Sequence, residues 1–399
     1  MAESLSTGAA RPGRAITLLS MAAFVSTATV RVADPLLPQI AHEFDVTPAV
    51  ASVVATSAAL AYGLFQIVYG AIGDRFGKFT VIAAVTLCSA FSTAAASLAG
   101  DLTVLGLLRF ISGGTAAVVI PLAIAHIADV VPYEQRQAVL GRFLSGQILG
   151  VLFGQAVGGI FADHVGWRGI FLLLGVLYLV IDGLLWLELV SGRVVDRRAP
   201  AASLRALPGR YLALLRLATV RRVIAIVTAE GFLFFGGLTY LGAFARHEFT
   251  LSYTGVGLVL GWFGIGGMIY AVTVKWFIGR LGERGMVRVG GTLWTAGFLA
   301  IAGAGGWWWL PAAVMAAGVG FYMHHATLQT IATQMAPQAR GLAISLFAFL
   351  FYLGQALGVA LCGQLIELAG YRVMFAVVGV ALAGLALTFA ETLLRPSRV

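Results

Sequence analysis

The stretch Gly70-Ala71-Ile72-Gly73-Asp74-Arg75-Phe76-Gly77-Lys78 sets charged and glycine residues between two long apolar runs, 49–72 and 80–99. A run of about 20 apolar residues, coiled as a helix, crosses a hydrocarbon core about 30 Å thick. The turn joining two such helices calls for glycine, the residue that takes positive φ without strain. An Asp–Arg pair in that turn is suited to latching it to neighbouring helix ends. Outward from this turn the pattern recurs. Apolar runs fall at roughly 15–37, 49–72, 80–99, 102–128, 138–162, 169–190, 222–245, 253–277, 288–305, 309–333, 341–366 and 372–392. They predict an all-α membrane protein with twelve transmembrane helices.

Composition agrees. Charged residues make up 11% of the chain, against about 25% in soluble proteins, while 60% are hydrophobic and 50 are glycine. No polar exterior remains for water, so lipid is the expected solvent. The run at 15–37 follows Arg11 and Arg14, but it is too long for a signal-peptide core and no small-residue cleavage site follows. It reads as the first span. Cys88 and Cys362 fall in apolar runs and read as buried thiols; the spacing offers no disulfide framework, metal site or cofactor.

The net charge of +9 is a matter of topology. With the N-terminus in the cytoplasm, every Lys and Arg except Arg31, Arg109, Arg168, Arg246 and Arg372 falls in or beside a cytoplasmic segment. This bias is the positive-inside rule. It predicts a multi-pass inner-membrane protein with both termini cytoplasmic, and it accounts for the basic excess without nucleic acid. The expected partners are protons, a small-molecule solute and the bilayer, and the chain is expected to be a monomer.

One segment interrupts the rhythm. Residues 191–221 hold an arginine cluster, Pro200 and Pro208, and divide the chain into an N-terminal six-helix unit (1–190) and a C-terminal one (222–399). Within it, 211–220 reads either as a short surface helix or as solvated linker. The halves are alike. Offset by 204 positions, Arg136 falls on Arg340, Gly150 on Gly354, Gly154 on Gly358, Gly159 on Gly363, Asp163 on Glu367, Gly166 on Gly370 and Arg168 on Arg372. Two pseudo-symmetric six-helix bundles, with a solute between them, are the design such a repeat predicts.

The turn at 70–78 resembles the G-x-x-x-D-R-x-G-[RK] signature of the major facilitator superfamily, with a degenerate copy at Lys275 to Gly282 in which Gly279 takes the Asp position. Arg109 and Ser112-Gly113 are similar to the family's membrane-arginine motif. Gly150-x-x-x-Gly154-Gln155-x-x-Gly158-Gly159 is similar to its antiporter signature, with Gln155 in place of proline. Asp34-x-x-x-Pro38 is similar to a pattern of the twelve-span drug/proton antiporter branch. The resemblance implies that spans one, four, seven and ten line a central cavity.

Those spans carry most of the intramembrane charge, and a charge there is a functional candidate by default. Asp34, Arg109 and Glu230 are the candidates for proton coupling. Asp34 also stands one turn from Arg31, so a plain ion pair is an alternative reading. Arg31, Gln66, Gln147, Gln155, Tyr240, Trp262, His324, His325, Tyr352 and Gln355 are the candidates for solute binding. His324 and His325 point about 100° apart, so at most one faces the cavity squarely. Gly70, Asp74, Arg75, Gly77, Lys78, Asp129 and Arg136, with Glu134 beside them, are read as a conformational latch. Asp182, near mid-membrane in a peripheral span, is expected to do no more than hydrogen-bond to a neighbour. Gly261 to Gly267 reads as close helix packing, and Trp307 to Trp309 as an interfacial belt.

Aromatic and amide groups with sparse charge suit a moderately hydrophobic organic solute. The expected function is a proton-coupled efflux antiporter working by alternating access, and not an enzyme. The runner-up is a proton-coupled importer of a small organic acid or nutrient.

Overall fold

Inside lipid a backbone N–H finds no water, so an apolar run satisfies its polar groups by coiling on itself. The computed structural model describes residues 12–194, 196 and 204–393, and every regular element among them is helical. The helical segments are α1 (Gly13–Glu43), α2 (Pro48–Phe76), α3 (Lys78–Ala96), α4 (Leu102–Val130), α5 (Tyr133–His164) and α6 (Trp167–Val190). After them come α7 (Leu207–Leu215), α8 (Ala218–Phe249), α9 (Tyr253–Ala302), α10 (Leu310–Ala332), α11 (Arg340–Ala369) and α12 (Tyr371–Thr392).

Among the described residues, 10 segments are long and apolar enough to cross a membrane, and α7 and α10 are not among them. The expected spans 253–277 and 288–305 run together in α9, interrupted at Gly282 with φ 60° and ψ 178°. Gly77, in the signature turn, also has positive φ, at 98°. The degenerate copy of the motif therefore keeps its glycine where the backbone needs one.

Two spans break where proline forbids a helical bond. In α1 the helix ends at Arg31 and restarts at Ala33; Pro35 cannot donate to the Arg31 carbonyl. In α4 the break at Ala117–Val118 lies four residues before Pro121. The freed Ala117 carbonyl accepts Gln66 Nε2 at 3.3 Å, and the Ala116 carbonyl accepts Ser26 Oγ at 2.9 Å. Span α8 instead carries a π-helical turn, Gly231–Phe235, and a second break at Thr239–Tyr240.

The offset of 204 seen in the sequence reappears as geometry. Gly166 and Gly370 share φ/ψ near 86°/166° and 83°/167°. Arg168 pairs with Glu43 and donates to the Ala99 carbonyl; Arg372 pairs with Glu248 at 2.8 Å and donates to the carbonyls of Ala302 and Ala304. A Cβ on Gly154 would meet the Ala28 carbonyl at 2.5 Å, and one on Gly358 the Phe232 carbonyl at 2.0 Å. Only glycine allows α5 on α1, and α11 on α8, to approach this closely.

Contacts between residues before 190 and residues after 218 gather at the end carrying the turns near 45, 165, 251 and 370. Asp163 accepts from the backbone N–H groups of Tyr253 at 3.1 Å and Thr254 at 2.6 Å, and Thr47 Oγ1 donates to Glu367 at 2.6 Å. Further in, the rings of Tyr62 and Tyr352 pack at 4.4 Å. The end nearer the 70–78 turn carries α7, whose Leu207, Tyr211 and Leu214 are buried on one face. Its span corrects the expected surface helix at 211–220: Pro208 favours an earlier start, and the extended Leu217 separates α7 from α8. Cys362 is buried as expected, but Cys88 is exposed. Trp307, Trp308 and Trp309 are exposed, and Gly264 and Gly266 pack closely on Leu152 and Met315.

Candidate functional site

The chemistry-bearing residues collect in two groups at the centre of the molecule. Asp34, just past the break in α1, is 2% exposed, and its Oδ2 meets no hydrogen-bond partner. Arg31 and Arg109 both act on it electrostatically, yet neither closes an ion pair with it among the described residues. Gln155 and Thr239 stand beside the carboxyl without closing a well-aligned bond, and both side chains hold buried, unpartnered polar atoms. Arg109 is fully buried; its Nε donates to the Val54 carbonyl at 3.3 Å while Nη1 and Nη2 have no acceptor. Phe171 and Tyr178 flank its guanidinium. A buried polar group without a partner is costly, so such a concentration marks a place shaped for something other than stability.

Glu230 anchors the second group. It is 0% exposed; Oε1 takes His324 Nδ1 at 2.8 Å and Oε2 takes His325 Nδ1 at 2.7 Å. Adjacent helical side chains diverge, and here the carboxylate sits between them and takes one on each oxygen. A carboxylate accepts only, so both imidazoles carry their proton on Nδ1. His324 is buried against Trp294 and Phe389, at 4.2 and 4.8 Å between ring centroids, with Nε2 unpartnered. His325 keeps a side-chain exposure of 19% and stacks on Phe321 at 5.1 Å and 14°. His325 is thus the member of the pair with an open edge.

Arg31 joins the groups. Its guanidinium lies 3.7 Å above the ring centroid of Phe235, the last residue of the π-helical turn that begins after Glu230. Tyr322 and Tyr352 stand within its field. Phe235 is in turn ringed by Phe234, Phe263, Phe321 and Phe351, with centroids 5.1 to 5.8 Å away.

Other sequence candidates fall elsewhere. Tyr240 commits its hydroxyl to the Val359 carbonyl at 2.8 Å, joining α8 to α11. Gln66 serves the α4 break. Gln355 is buried with Oε1 unpartnered, Gln147 has an unpartnered Nε2, and Trp262 packs against the core at its edge. Asp182 is 3% exposed and its Oδ1 has no partner, so the hydrogen bond expected there is not seen at that atom. Sequence reasoning misses Phe235, Thr239, Tyr178, Phe321 and Phe351, because an aromatic in a span reads as packing. The one available signal is the run Gly231-Phe-Leu-Phe-Phe-Gly-Gly237, with aromatic residues crowded between helix-loosening glycines.

At the signature turn, Lys78 Nζ lies 2.7 Å from Asp129 and 3.3 Å from Asp74. Asp196 accepts from the N–H groups of Phe79 and Thr80 and caps α3. Arg136 donates to the carbonyls of Ala128 and Val131, Arg75 lies over Phe76, and a Cβ on Gly70 would have open space. The side chain of Glu134 lies outside the described residues.

Apolar helices of spanning length, broken at prolines and gathered round a buried polar centre, define a membrane protein by class. The family model of the Major Facilitator Superfamily matches residues 19–247 and 230–399, and the chain belongs to that superfamily. It is 29% identical over 401 residues to SCO4007 of Streptomyces coelicolor, described as a probable transporter, covering 96% of this chain and 87% of that one. It is 27% identical over 244 residues to the inner membrane transport protein YnfM of Escherichia coli, covering 59% of this chain and 56% of YnfM. The match to the transporter YgaY of Escherichia coli O157:H7, 29% identical, spans 43% of each, less than half the length of that relative. Among solved structures the fold is similar to that of the nucleoside transporter NupG, with a TM-score of 0.76 and 13% identity over 94% of this chain and 98% of that one. Family and apolar helices make this a multi-pass membrane protein of that superfamily.

Proposed function

We propose that the protein is a proton-coupled antiporter that exports a small, moderately hydrophobic organic compound by alternating access. In this reading the chain forms twelve spans in two bundles of six, 1–190 and 222–399, joined by the linker 191–221. It lies in the inner membrane as a monomer with both termini cytoplasmic, and the end carrying the turns near 45, 165, 251 and 370 is closed and faces the periplasm. The observation that carries the reading is the buried Asp34 carboxyl, unpartnered at Oδ2, beside two arginines and next to a helix break. A carboxyl so placed binds and releases a proton without dismantling a hydrogen-bond network. Arg109, with two nitrogens short of acceptors, is a buried cation acting on the same carboxyl. The paired imidazoles hold Glu230, a second carboxylate, on the opposite wall. The Asp74–Lys78–Asp129 network, with Arg75, Gly70, Gly77 and Arg136, steadies one conformational end state.

The test uses inverted membrane vesicles with an acid interior and a pH-quenched dye. Lipophilic cations, neutral drugs and organic acids are added in turn. A compound that dissipates the gradient in wild type and fails to do so in Asp34→Asn supports the exchange and assigns its carrier. Proton-linked uptake of an organic acid or nutrient in right-side-out vesicles, with no dissipation here, overturns it in favour of an importer.

A further inference from the structure

Each imidazole of the Glu230 cluster spends an N–H on the carboxylate, at 2.8 Å for His324 and 2.7 Å for His325. A neutral imidazole holds a single N–H, and the bond made by one nitrogen sets the role of the other. Both Nε2 atoms are therefore acceptors, but their surroundings differ. Nε2 of His324 is sealed without a partner behind Trp294 and Phe389. His325 keeps 19% of its side chain exposed, although Phe321 stacks on its face and the rings of Phe347 and Phe351 crowd it at 5.6 and 4.9 Å. With Nδ1 on Glu230 and rings packed around it, the open part of His325 is the edge that bears Nε2.

That edge looks into a cleft. Tyr322, His325 and Gln329 share one face of α10, three and four residues apart, and pass along it from half-buried to exposed. Arg31 acts on Tyr322, which sets this face towards the centre of the molecule. The turn after α10, Met335 to Ala339, borders α7. The cleft thus opens at the end opposite the contacts of Asp163 and Glu367. Glu230 is 0% exposed with both oxygens taken, so it is felt in the cleft only through the imidazole.

We propose that Glu230 locks His325 as a hydrogen-bond acceptor in the cleft, so that the transported solute is an apolar ring compound carrying an O–H or N–H donor, of the phenol or aryl-amine class. This builds on the reading of the centre as the transport site and names the chemistry of the solute. A chain of bonds from solute to Nε2, and from Nδ1–H to a buried carboxylate, polarises along its length and makes Nε2 a stronger acceptor than in a free imidazole. The rings of Phe321, Phe347 and Phe351 beside it favour an apolar, aromatic body. Ethers, ketones and carboxylates set a lone pair against a lone pair. A site whose polar group is made for a donor rejects the analogue that lacks one, because that group is then left bare. Glu230 touches no solute and acts as a positioning residue, while His325 reads the solute. His324 completes the lock by occupying Oε1, which leaves Oε2 to His325.

The experiment measures equilibrium binding of radiolabelled 1-naphthol and 1-methoxynaphthalene, a pair that differs in the donor, to the full-length protein in detergent. It is run at about pH 8, above the range in which free histidine titrates. Wild type prefers 1-naphthol about tenfold. His325→Phe, which keeps a ring in the same aromatic setting, removes the preference while 1-methoxynaphthalene still binds. Glu230→Gln lets His325 carry its proton on Nε2 and lowers the preference to about twofold. In nitrogen-15 spectra of histidine-labelled protein, Nε2 of His325, assigned by its loss in His325→Phe, has the shift of an unprotonated nitrogen in wild type. It gains protonated character in Glu230→Gln, a change that a merely structural Glu230 would not produce. Equal binding of the two probes by wild type, a preference that survives His325→Phe, or a protonated Nε2 in wild type overturns the proposal. So does a failure of 1-naphthol to bind saturably. The two readings fail separately. Gradient dissipation that depends on Asp34, driven equally by compounds with and without a donor, refutes this inference alone. Donor-dependent binding at His325 without proton movement refutes the exchange alone.

Discussion

In the proposed alternating-access cycle, the end carrying the turns near 45, 165, 251 and 370 is held closed by a pair of carboxylates that the internal repeat makes equivalent, and removing them is expected to open it. Asp163 on α5 caps the start of α9 through the N–H groups of Tyr253 and Thr254, while Glu367 on α11 accepts from the Thr47 hydroxyl, itself the N-cap of the helix beginning at Pro48. Each contact joins a residue before 190 to one after 218, so each is expected to break when the end opens. Both carboxylates are solvent-accessible, which limits their worth to that of an ordinary exposed cap, about 1 kcal/mol. Asp163→Ala is then expected to shift the ratio of closed to open molecules roughly fivefold, and the double variant with Glu367→Ala about thirtyfold if the two act independently. Spin labels at His164→Cys and Leu368→Cys, both exposed at this end, with Cys88 and Cys362 replaced by serine, would report the opening as a second, longer distance in a double electron–electron resonance trace. A trace identical to that of the labelled parent in the double variant would refute the idea that these caps hold the end shut.

Glu230→Gln leaves one buried imidazole N–H facing an amide NH2. Losing a charge-assisted bond there is expected to cost about 2 kcal/mol, read as a lower melting temperature in detergent together with lost transport; an unchanged melting curve would count against the paired-histidine geometry. Gly358→Val drives a side chain into the Phe232 carbonyl, which a Cβ alone would meet at 2.0 Å, and backbone cannot yield as a flexible side chain can. The variant is expected to fail to accumulate in membranes, and normal levels by immunoblot would argue against so close a contact of α11 with α8. Gly77→Ala forces a side chain on a residue with φ 98° and towards the Asp196 carboxylate at 2.2 Å. A loss of about 1–2 kcal/mol is expected, and Asp196→Ala should relieve the crowding but not the backbone strain, so a full rescue of thermal stability would show the strain argument to be mistaken.

Much of the fold could be read from the chain because lipid imposes a simple rule. Apolar runs of spanning length, the glycines of the 70–78 turn and the match of Arg168 to Arg372 all act locally or through repetition. Each reappears in the structure, with Arg168 and Arg372 closing equivalent contacts on Glu43 and Glu248. Boundaries were less legible. The helix at 207–215 starts before the expected 211 because Pro208 can occupy a first helical turn, and α9 passes through an expected loop with only Gly282 to bend it.

The site was legible in its parts and not in its pairings. The sequence by itself determined that Asp34, Arg109, Glu230 and the two histidines would lie in apolar spans, since hydrophobicity places a residue in the membrane whatever its neighbours are. It could not say that Glu230 would sit between His324 and His325, nor that Arg31 would pass over its neighbour Asp34 to cover Phe235. Those choices depend on which faces of α1, α8 and α10 meet, and on a π-helical turn that rotates Phe235 into place. Burial is a property of each segment, whereas partnership is a property of how segments pack, and only the tertiary structure decides it.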